Sequence, residues 1–146
     1  IRIFDATAED LDAECRKMDE YIFRNGGLDL ALVGVGMNGH IGLNEPGTSS
    51  QLYAHHVQLE DSTIKVAQKY FNTNKMLSRG ITLGLKHLME TECLIVVANG
   101  AKKAGIIKKL VTGEITEQVP GSILQHHMDC NLFLDEDAAS EIDVPI

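Results

Sequence analysis

The spacing of apolar and polar residues predicts the secondary structure of this chain. Between residues 7 and 24, apolar side chains recur every three or four positions and so share one face of a helix: Leu11, Cys15, Met18 and Ile22. The Thr7 hydroxyl can cap the first turn, and the pair Gly26-Gly27 can end the helix. We therefore predict a helix over residues 7–24.

Three short, continuous apolar runs predict strands that are buried on both faces of a sheet. They cover residues 28–35, 93–98 and 131–134. Helical patterns separate them, most clearly over 101–111, where apolar residues fall on one side and lysines largely outside it. Each apolar run is thus followed by a break and then by helical sequence.

The region between the first two runs is less regular. It predicts a strand over 55–59, then a helix over 62–71, and then a strand that turns into a helix over 81–88. The order of helix, buried strand, helix and buried strand predicts an α/β fold. We expect a doubly wound, Rossmann-like parallel sheet with helices on both faces.

Length and charge narrow the classes of function. The chain has 146 residues, which suits a single domain over 1–146. Its 21 Asp and Glu outnumber 13 Lys and Arg, a net charge of -8, so no nucleic-acid partner is expected. The apolar runs are far shorter than the roughly 20 residues of a membrane helix. The three cysteines are odd in number and lie among apolar neighbours, which suits reduced core thiols in a cytoplasmic protein.

The loop after the first apolar run carries the strongest chemical signal. Ligands of doubly wound sheets bind beyond the carboxyl ends of the strands, and residues 34–47 lie at such an end. Four glycines within nine residues allow close approach to a ligand, and His40 and Glu45 add an imidazole and a carboxylate. Such a pair suits proton transfer to a sugar or carbonyl oxygen. An ordinary glycine-rich turn would explain the same residues equally well.

Two kinds of bound group are not expected. Gly34, Gly36 and Gly39 match the spacing of a dinucleotide-binding loop, but Pro46 and the later glycines interrupt the helix that should follow. The adjacent histidines 55–56 and 126–127 point in different directions from the backbone and lack a completing carboxylate, so no metal site is predicted. We expect neither a nicotinamide cofactor nor a metal.

The run Gly-Met-Asn-Gly-His-Ile-Gly-Leu-Asn-Glu-Pro-Gly over 36–47 closely resembles a family signature. Glucosamine-6-phosphate deaminases and the related galactosamine-6-phosphate isomerases usually carry G-x-D-G-H-I-x-F-N-E-P there. Further similarity covers 12–16, 81–85 and 122–127, and extends in the same order from about residue 1 to 135. The resemblance implies conversion of a 2-amino-2-deoxyhexose 6-phosphate into a ketohexose 6-phosphate and ammonia, without a cofactor.

The resemblance also implies roles for individual residues. His40 would open the sugar ring, Glu45 would support it, and Gly39 would lie against the substrate. Lys103 would bind the 6-phosphate, together with Lys69, which stands where many members carry an arginine. Relatives include both monomers and hexamers, so the resemblance leaves homo-oligomerisation open.

Two departures from the family pattern qualify these expectations. Asn38 replaces the usual aspartate that orients the histidine. Because an amide carries no charge, the imidazolium should be less favoured. We therefore expect the galactosamine branch of the family. The aspartate that moves the proton between C2 and C1 would precede Ile1. We therefore predict that the chain is the C-terminal part of such an enzyme and is inactive alone. Two alternatives stay open: a 6-phosphogluconolactonase-like hydrolase, and a regulatory domain that binds sugar phosphates without catalysis.

Overall fold

Helices and strands alternate along the chain, largely where the sequence predicts them. The structure, a computed structural model, describes residues 1–73 and 76–143. In chain order the elements are α1 (Leu11–Arg24), β1 (Leu30–Gly34), β2 (His55–Gln58), α2 (Asp61–Ala67), β3 (Arg79–Thr82), α3 (Leu85–Met89), β4 (Cys93–Ala98), α4 (Ala104–Thr112), β5 (Cys130–Leu134) and α5 (Glu136–Ala139). Short 3₁₀ helices cover Gln68–Tyr70, Ala101–Lys103 and Pro120–His126.

Two sheets organise these elements. Strands β1, β4 and β5 are parallel, in the order β1-β4-β5, with Leu32 opposite Ile95 and Ile95 opposite Asn131. Strands β2 and β3 form a separate antiparallel pair. The predicted α/β fold with a parallel sheet flanked by helices is thus confirmed, and the three strands that form it are the three apolar runs.

The hydrophobic core lies on one face of the parallel sheet. Val35, Leu94 and Val96 point into it from the strands, and each is almost fully buried. Helices α3 and α4 and the 3₁₀ helix Pro120–His126 supply the facing side chains, which are Leu85, Leu88, Ile107, Leu110 and Leu124. Packing of these helices fixes the carboxyl ends of β1 and β4 relative to each other.

The opposite face of the sheet is exposed along β1 and at Phe133 of β5, so the prediction of strands buried on both faces is wrong for these two strands. Leu30 is 57% exposed, Leu32 is 66% exposed, and Phe133 on β5 is 60% exposed. Burial alternates along β1 because α3, α4 and the Pro120–His126 helix all pack on the core face. A continuous apolar run cannot tell which of its two faces a helix of the same chain covers.

The first helix begins later than predicted. Its cap is Asp10, whose side chain accepts a hydrogen bond from the Ala13 N–H at 2.8 Å, and not Thr7, which bonds to Asp5. Asp10 directly precedes the first helical residue, so its carboxylate reaches an unpaired N–H of the first turn. The predicted end is confirmed, because Gly27, with φ +104°, donates its N–H to the Ile22 carbonyl.

The cysteines are free thiols, but only one of them lies in the core. Cys15 is buried, and burial raises the pKa of its thiol to about 11, so it stays protonated. Cys93 and Cys130 are half-buried, in contrast to the predicted core positions.

In the part of the chain that the structure describes, no helix is both long and apolar enough to cross a bilayer.

Candidate active site

The loop that follows β1 folds back on itself at the carboxyl end of the strand. Gly36 donates its N–H to the His40 carbonyl at 2.8 Å, and Val35 and Ile41 pair as an isolated bridge. Ile41 is fully buried in the core, which anchors the loop. This closure holds the imidazole of His40 beside the end of the parallel sheet.

Two glycines make this closure sterically feasible. A Cβ atom on Gly36 would collide with the imidazole of His40, so only glycine leaves room for the ring. Gly39 has φ +86°, which favours glycine, and a Cβ there would lie 2.9 Å from Cγ1 of Val119. Both glycines therefore shape the loop around the histidine.

The structure brings together the three residues that the sequence placed in the acid–base site. Oε2 of Glu45 lies 3.4 Å from Nδ1 of His40 and accepts a hydrogen bond from Nδ2 of Asn38 at 2.7 Å. Oδ1 of Asn38 accepts from the His40 N–H at 3.2 Å. Asn38 thus contacts both the carboxylate and the backbone of the histidine, and it fixes their relative position.

The two ring nitrogens of His40 have different surroundings. Nδ1 lies beside Glu45 and also 3.5 Å from Oγ1 of Thr63, which belongs to α2. Nε2 has no hydrogen-bond partner among residues 1–73 and 76–143. A carboxylate next to Nδ1 orients the ring, which leaves Nε2 available to exchange a proton with a ligand.

Glu45 also carries an unused acceptor. The residue is 3% exposed, and its Oε1 atom is buried without a hydrogen-bond partner within the described residues. A buried acceptor without a partner is destabilising by about 1–3 kcal/mol. A hydroxyl or ammonium group of a bound ligand would satisfy it.

Asn44 ties the loop to the rest of the fold. Its fully buried side chain donates hydrogen bonds to the Ile41 carbonyl at 2.8 Å and to the Leu83 carbonyl at 3.0 Å. Leu83 follows β3, so these bonds hold the loop against the second sheet. Asn44 lies within the loop signature, but no role was predicted for it from the sequence.

The two predicted phosphate-binding lysines lie near each other at the same end of the fold. Lys103 directly precedes α4, and its ammonium donates a hydrogen bond to the carbonyl of Val35, where the histidine loop begins. Burial lowers the pKa of Lys103, and the positive charge of Lys69 lowers it further. Two cations beside a helix N-terminus are an arrangement that a phosphate would stabilise.

Comparison with known proteins identifies the family. The family model for glucosamine-6-phosphate isomerases and 6-phosphogluconolactonases matches residues 2–132. The chain belongs to this family. The family resemblance expected from the loop signature is thereby confirmed.

Curated relatives of this chain include glucosamine-6-phosphate deaminases. The chain is 39% identical over 140 residues to the glucosamine-6-phosphate deaminase of Clostridium acetobutylicum, covering 95% of this chain and 58% of that protein. It is 40% identical over 143 residues to the enzyme of the same name from Clostridium novyi, covering 97% and 59%. The chain therefore spans a little more than half the length of these relatives.

Solved structures of the family agree with the sequence comparison. The structure of a monomeric glucosamine-6-phosphate deaminase superposes with a TM-score of 0.88 at 35% identity, covering 93% of this chain and 57% of that one. A 6-phosphogluconolactonase from Trypanosoma brucei superposes with a TM-score of 0.65 at 17% identity, covering 94% and 57%. At that identity the lactonase shares the fold, and nothing more is inferred from it.

Proposed function

We propose that the protein acts as a glucosamine-6-phosphate deaminase, which converts 2-amino-2-deoxyglucose 6-phosphate and water into the ketohexose 6-phosphate and ammonia. The observation that carries the proposal is the His40–Glu45–Asn38 cluster beside Lys103 at one end of the parallel sheet. One part supplies proton transfer and the other supplies binding of a phosphate. The ammonium contact to Val35 links the two parts directly.

Ring opening is the step to which His40 is suited. The C1–O5 bond of the sugar breaks, the ring oxygen gains a proton, and the C1 hydroxyl loses one to become an aldehyde. An imidazolium with Nε2 towards the sugar delivers the first proton, and the resulting imidazole accepts the second. Glu45 orients the ring through Nδ1 and leaves Nε2 for this exchange.

The later steps require a second proton carrier. A proton moves from C2 to C1 and another passes from the amine nitrogen to O1, which turns the amino aldehyde into a C2 imine with a C1 hydroxyl. Water then adds to C2, and ammonia leaves as the C2 ketone forms. We assign the carbon-to-carbon transfer to the aspartate that the family resemblance places before Ile1. Each step moves only protons or water, so the chemistry requires no cofactor.

The phosphate of the substrate is assigned to Lys103 and Lys69. A phosphate between them would offset the repulsion and burial that lower the pKa of Lys103. Lysine at position 69 keeps a positive charge but lacks the planar fork of arginine, so it holds the phosphate through a point charge. Gly39 completes the assignment, because its left-handed backbone, with φ +86°, shapes the loop against which the sugar would lie.

The gluco epimer is favoured by the names of the relatives. Asn38 by itself suggested the galacto epimer, but chains 39–40% identical to this one are named glucosamine-6-phosphate deaminases. The same names favour the deaminase over the lactonase alternative. Free thiols, with Cys15 buried and protonated, are consistent with a reducing cytoplasm.

Release of ammonia tests the proposal. The protein as the cell produces it would be incubated with glucosamine 6-phosphate, galactosamine 6-phosphate and 6-phosphogluconolactone in parallel. We expect ammonia and ketohexose 6-phosphate from the first substrate, with lower kcat/KM for its epimer. Hydrolysis of the lactone without ammonia release would establish the lactonase alternative. Binding of the sugar phosphates without turnover of any would establish the regulatory one.

A further inference from the structure

We propose that Glu60 is a positioning residue of the acid–base cluster, which acts on His40 through Asn38. The kinetic part of this inference rests on the proposed function, whereas the contact itself can be tested without it. Glu60 was not singled out by the sequence, and it is separated from the histidine loop by β2.

The hydrogen bonds of Asn38 carry the argument. Its Nδ2 atom donates to Oε2 of Glu45 at 2.7 Å and to Oε2 of Glu60 at 2.9 Å. Both N–H groups of the amide are therefore used by carboxylates, and its single oxygen accepts from the His40 N–H at 3.2 Å. If the amide were turned over, its oxygen would face two carboxylates, which repel it.

Two carboxylates thus set the orientation that the histidine requires. Glu45 alone could hold one N–H of the amide, but the second N–H would then be left to water. Glu60 occupies that second N–H and fixes the amide plane. The amide in turn fixes the His40 backbone and the carboxylate beside Nδ1.

The first turn of α2 is docked onto the loop at two points. Glu60 immediately precedes Asp61, the first residue of the helix, and Thr63 on the first turn lies 3.5 Å from Nδ1 of His40. The carboxylate of Glu60 makes no hydrogen bond that caps its own helix. Its contact with Asn38 is therefore not a by-product of helix capping.

The arrangement also explains why an amide suits position 38. Asn38 lies between Glu45 and Glu60 and donates to both, which a carboxylate cannot do. An aspartate there would bring three carboxylates together without a single N–H between them. Like charges at hydrogen-bond distance are strongly unfavourable unless one is protonated.

This charge pattern predicts that one substitution has opposite effects in two backgrounds. In the natural protein, Glu60→Gln is expected to lower kcat by about threefold to tenfold, the size expected for one partly solvated hydrogen bond to a charged group. KM should stay within twofold, because Glu60 acts on the acid–base cluster through its hydrogen bond with Asn38. In the Asn38→Asp background, Glu60→Gln is expected to raise kcat, because it removes one of three carboxylates and supplies an N–H donor.

The experiment measures kcat and KM for glucosamine 6-phosphate in six proteins: wild type, Glu60→Gln, Glu60→Asp, Asn38→Asp, the double variant and Asp61→Asn. The last is the matched control, since it removes a neighbouring exposed carboxylate that makes no described contact with the cluster. A glutamate-to-aspartate change at position 60 should retain more activity than Glu60→Gln. Equal effects of Glu60→Gln in both backgrounds, or an effect no larger than that of Asp61→Asn, would overturn the proposal.

A second measurement keeps the inference separate from the proposed function. The side-chain NH₂ resonances of Asn38, observed by NMR, should shift in Glu60→Gln and stay unchanged in Asp61→Asn. If wild type releases no ammonia but these resonances shift, the proposed function fails and the Glu60 contact is retained. If wild type is active and the resonances do not respond, the Glu60 inference fails alone.

Discussion

The acid–base cluster and the lysine pair lie at the same end of the sheet but are held in opposite ways. The cluster is joined by short hydrogen bonds within one loop, and Glu45 is almost completely buried. Lys103, in contrast, has its pKa lowered by burial and by the positive charge of Lys69, so the two cations do not stabilise each other. The cluster is preorganised without a ligand, whereas the lysine pair gains its stabilisation from an anion.

Because of this difference, substitutions in the two regions should change different kinetic constants. Altering the cluster should lower kcat, because its hydrogen bonds and proton transfer stabilise the transition state more than the bound substrate. Altering a lysine should raise KM, since a phosphate held equally in ground and transition states contributes only to binding.

The largest effect is expected for His40→Asn. Loss of the proton carrier should reduce kcat by roughly 10²- to 10⁴-fold, the range for removing a general acid–base group. KM should change little, and ammonia release gives both constants. His126→Asn, at an exposed position in the 3₁₀ helix Pro120–His126, is the control and should behave as wild type. Near-normal turnover without the His40 imidazole would remove it from the mechanism.

Gly36→Ala should reduce kcat although it removes none of the catalytic side chains. The new methyl group would collide with the imidazole and displace it, and a displacement of about 1 Å can cost roughly 100-fold. Gly34→Ala is a matched control two residues earlier, where a Cβ atom meets nothing closer than the Val97 carbonyl at 3.8 Å. Equal activity of the two variants would show that the ring position is not critical.

Lys103→Met should act on binding instead. Removing a charged hydrogen-bond donor to phosphate is expected to raise KM by roughly 10- to 100-fold, equivalent to about 1.5–3 kcal/mol. The change in kcat should be small, and competitive inhibition by inorganic phosphate should weaken in parallel. Lys102→Met removes the adjacent exposed lysine and should leave both constants unchanged. A fall in kcat at constant KM would place Lys103 in the chemistry.

The smallest expected effect is a pH dependence of stability. Because the folded-state pKa of Lys103 lies below its ordinary value of 10.5, the unfolded chain holds this proton more tightly. The resulting loss of stability is complete below the folded-state pKa and disappears as pH rises towards 10.5. The Tm of the wild type minus the Tm of Lys103→Met should therefore rise with pH over that window. Saturating inorganic phosphate should remove or reverse this slope, and an unchanged slope would exclude phosphate from the lysine pair.

Local sequence was sufficient for much of the fold and for part of the site. The three parallel strands were predicted because their apolar runs are short, continuous and bounded by breaks. His40, Glu45 and Asn38 were predicted as site residues because they lie in one loop signature, and Lys103 because the family resemblance points to it. The helix cap was wrong because Thr7 and Asp10 are both good capping residues, and only the backbone path selects Asp10.

Other features depend on contacts between distant parts of the chain. No periodicity shows that Glu60 and Thr63 reach the histidine loop, because the docking of α2 against that loop decides it. Likewise, exposure of Leu30 and Leu32 depends on which sheet face the helices cover.

The sequence by itself therefore determined the family, the parallel strands and the chemical groups of the acid–base loop, since these depend on residues close together in the chain. Only the tertiary structure decided how those groups are oriented, which carboxylate holds the second N–H of Asn38, and that Lys69 lies near Lys103. The physical reason is that orientation and charge interaction depend on distances of a few ångströms. Those distances are fixed by packing between elements and not by spacing along the chain.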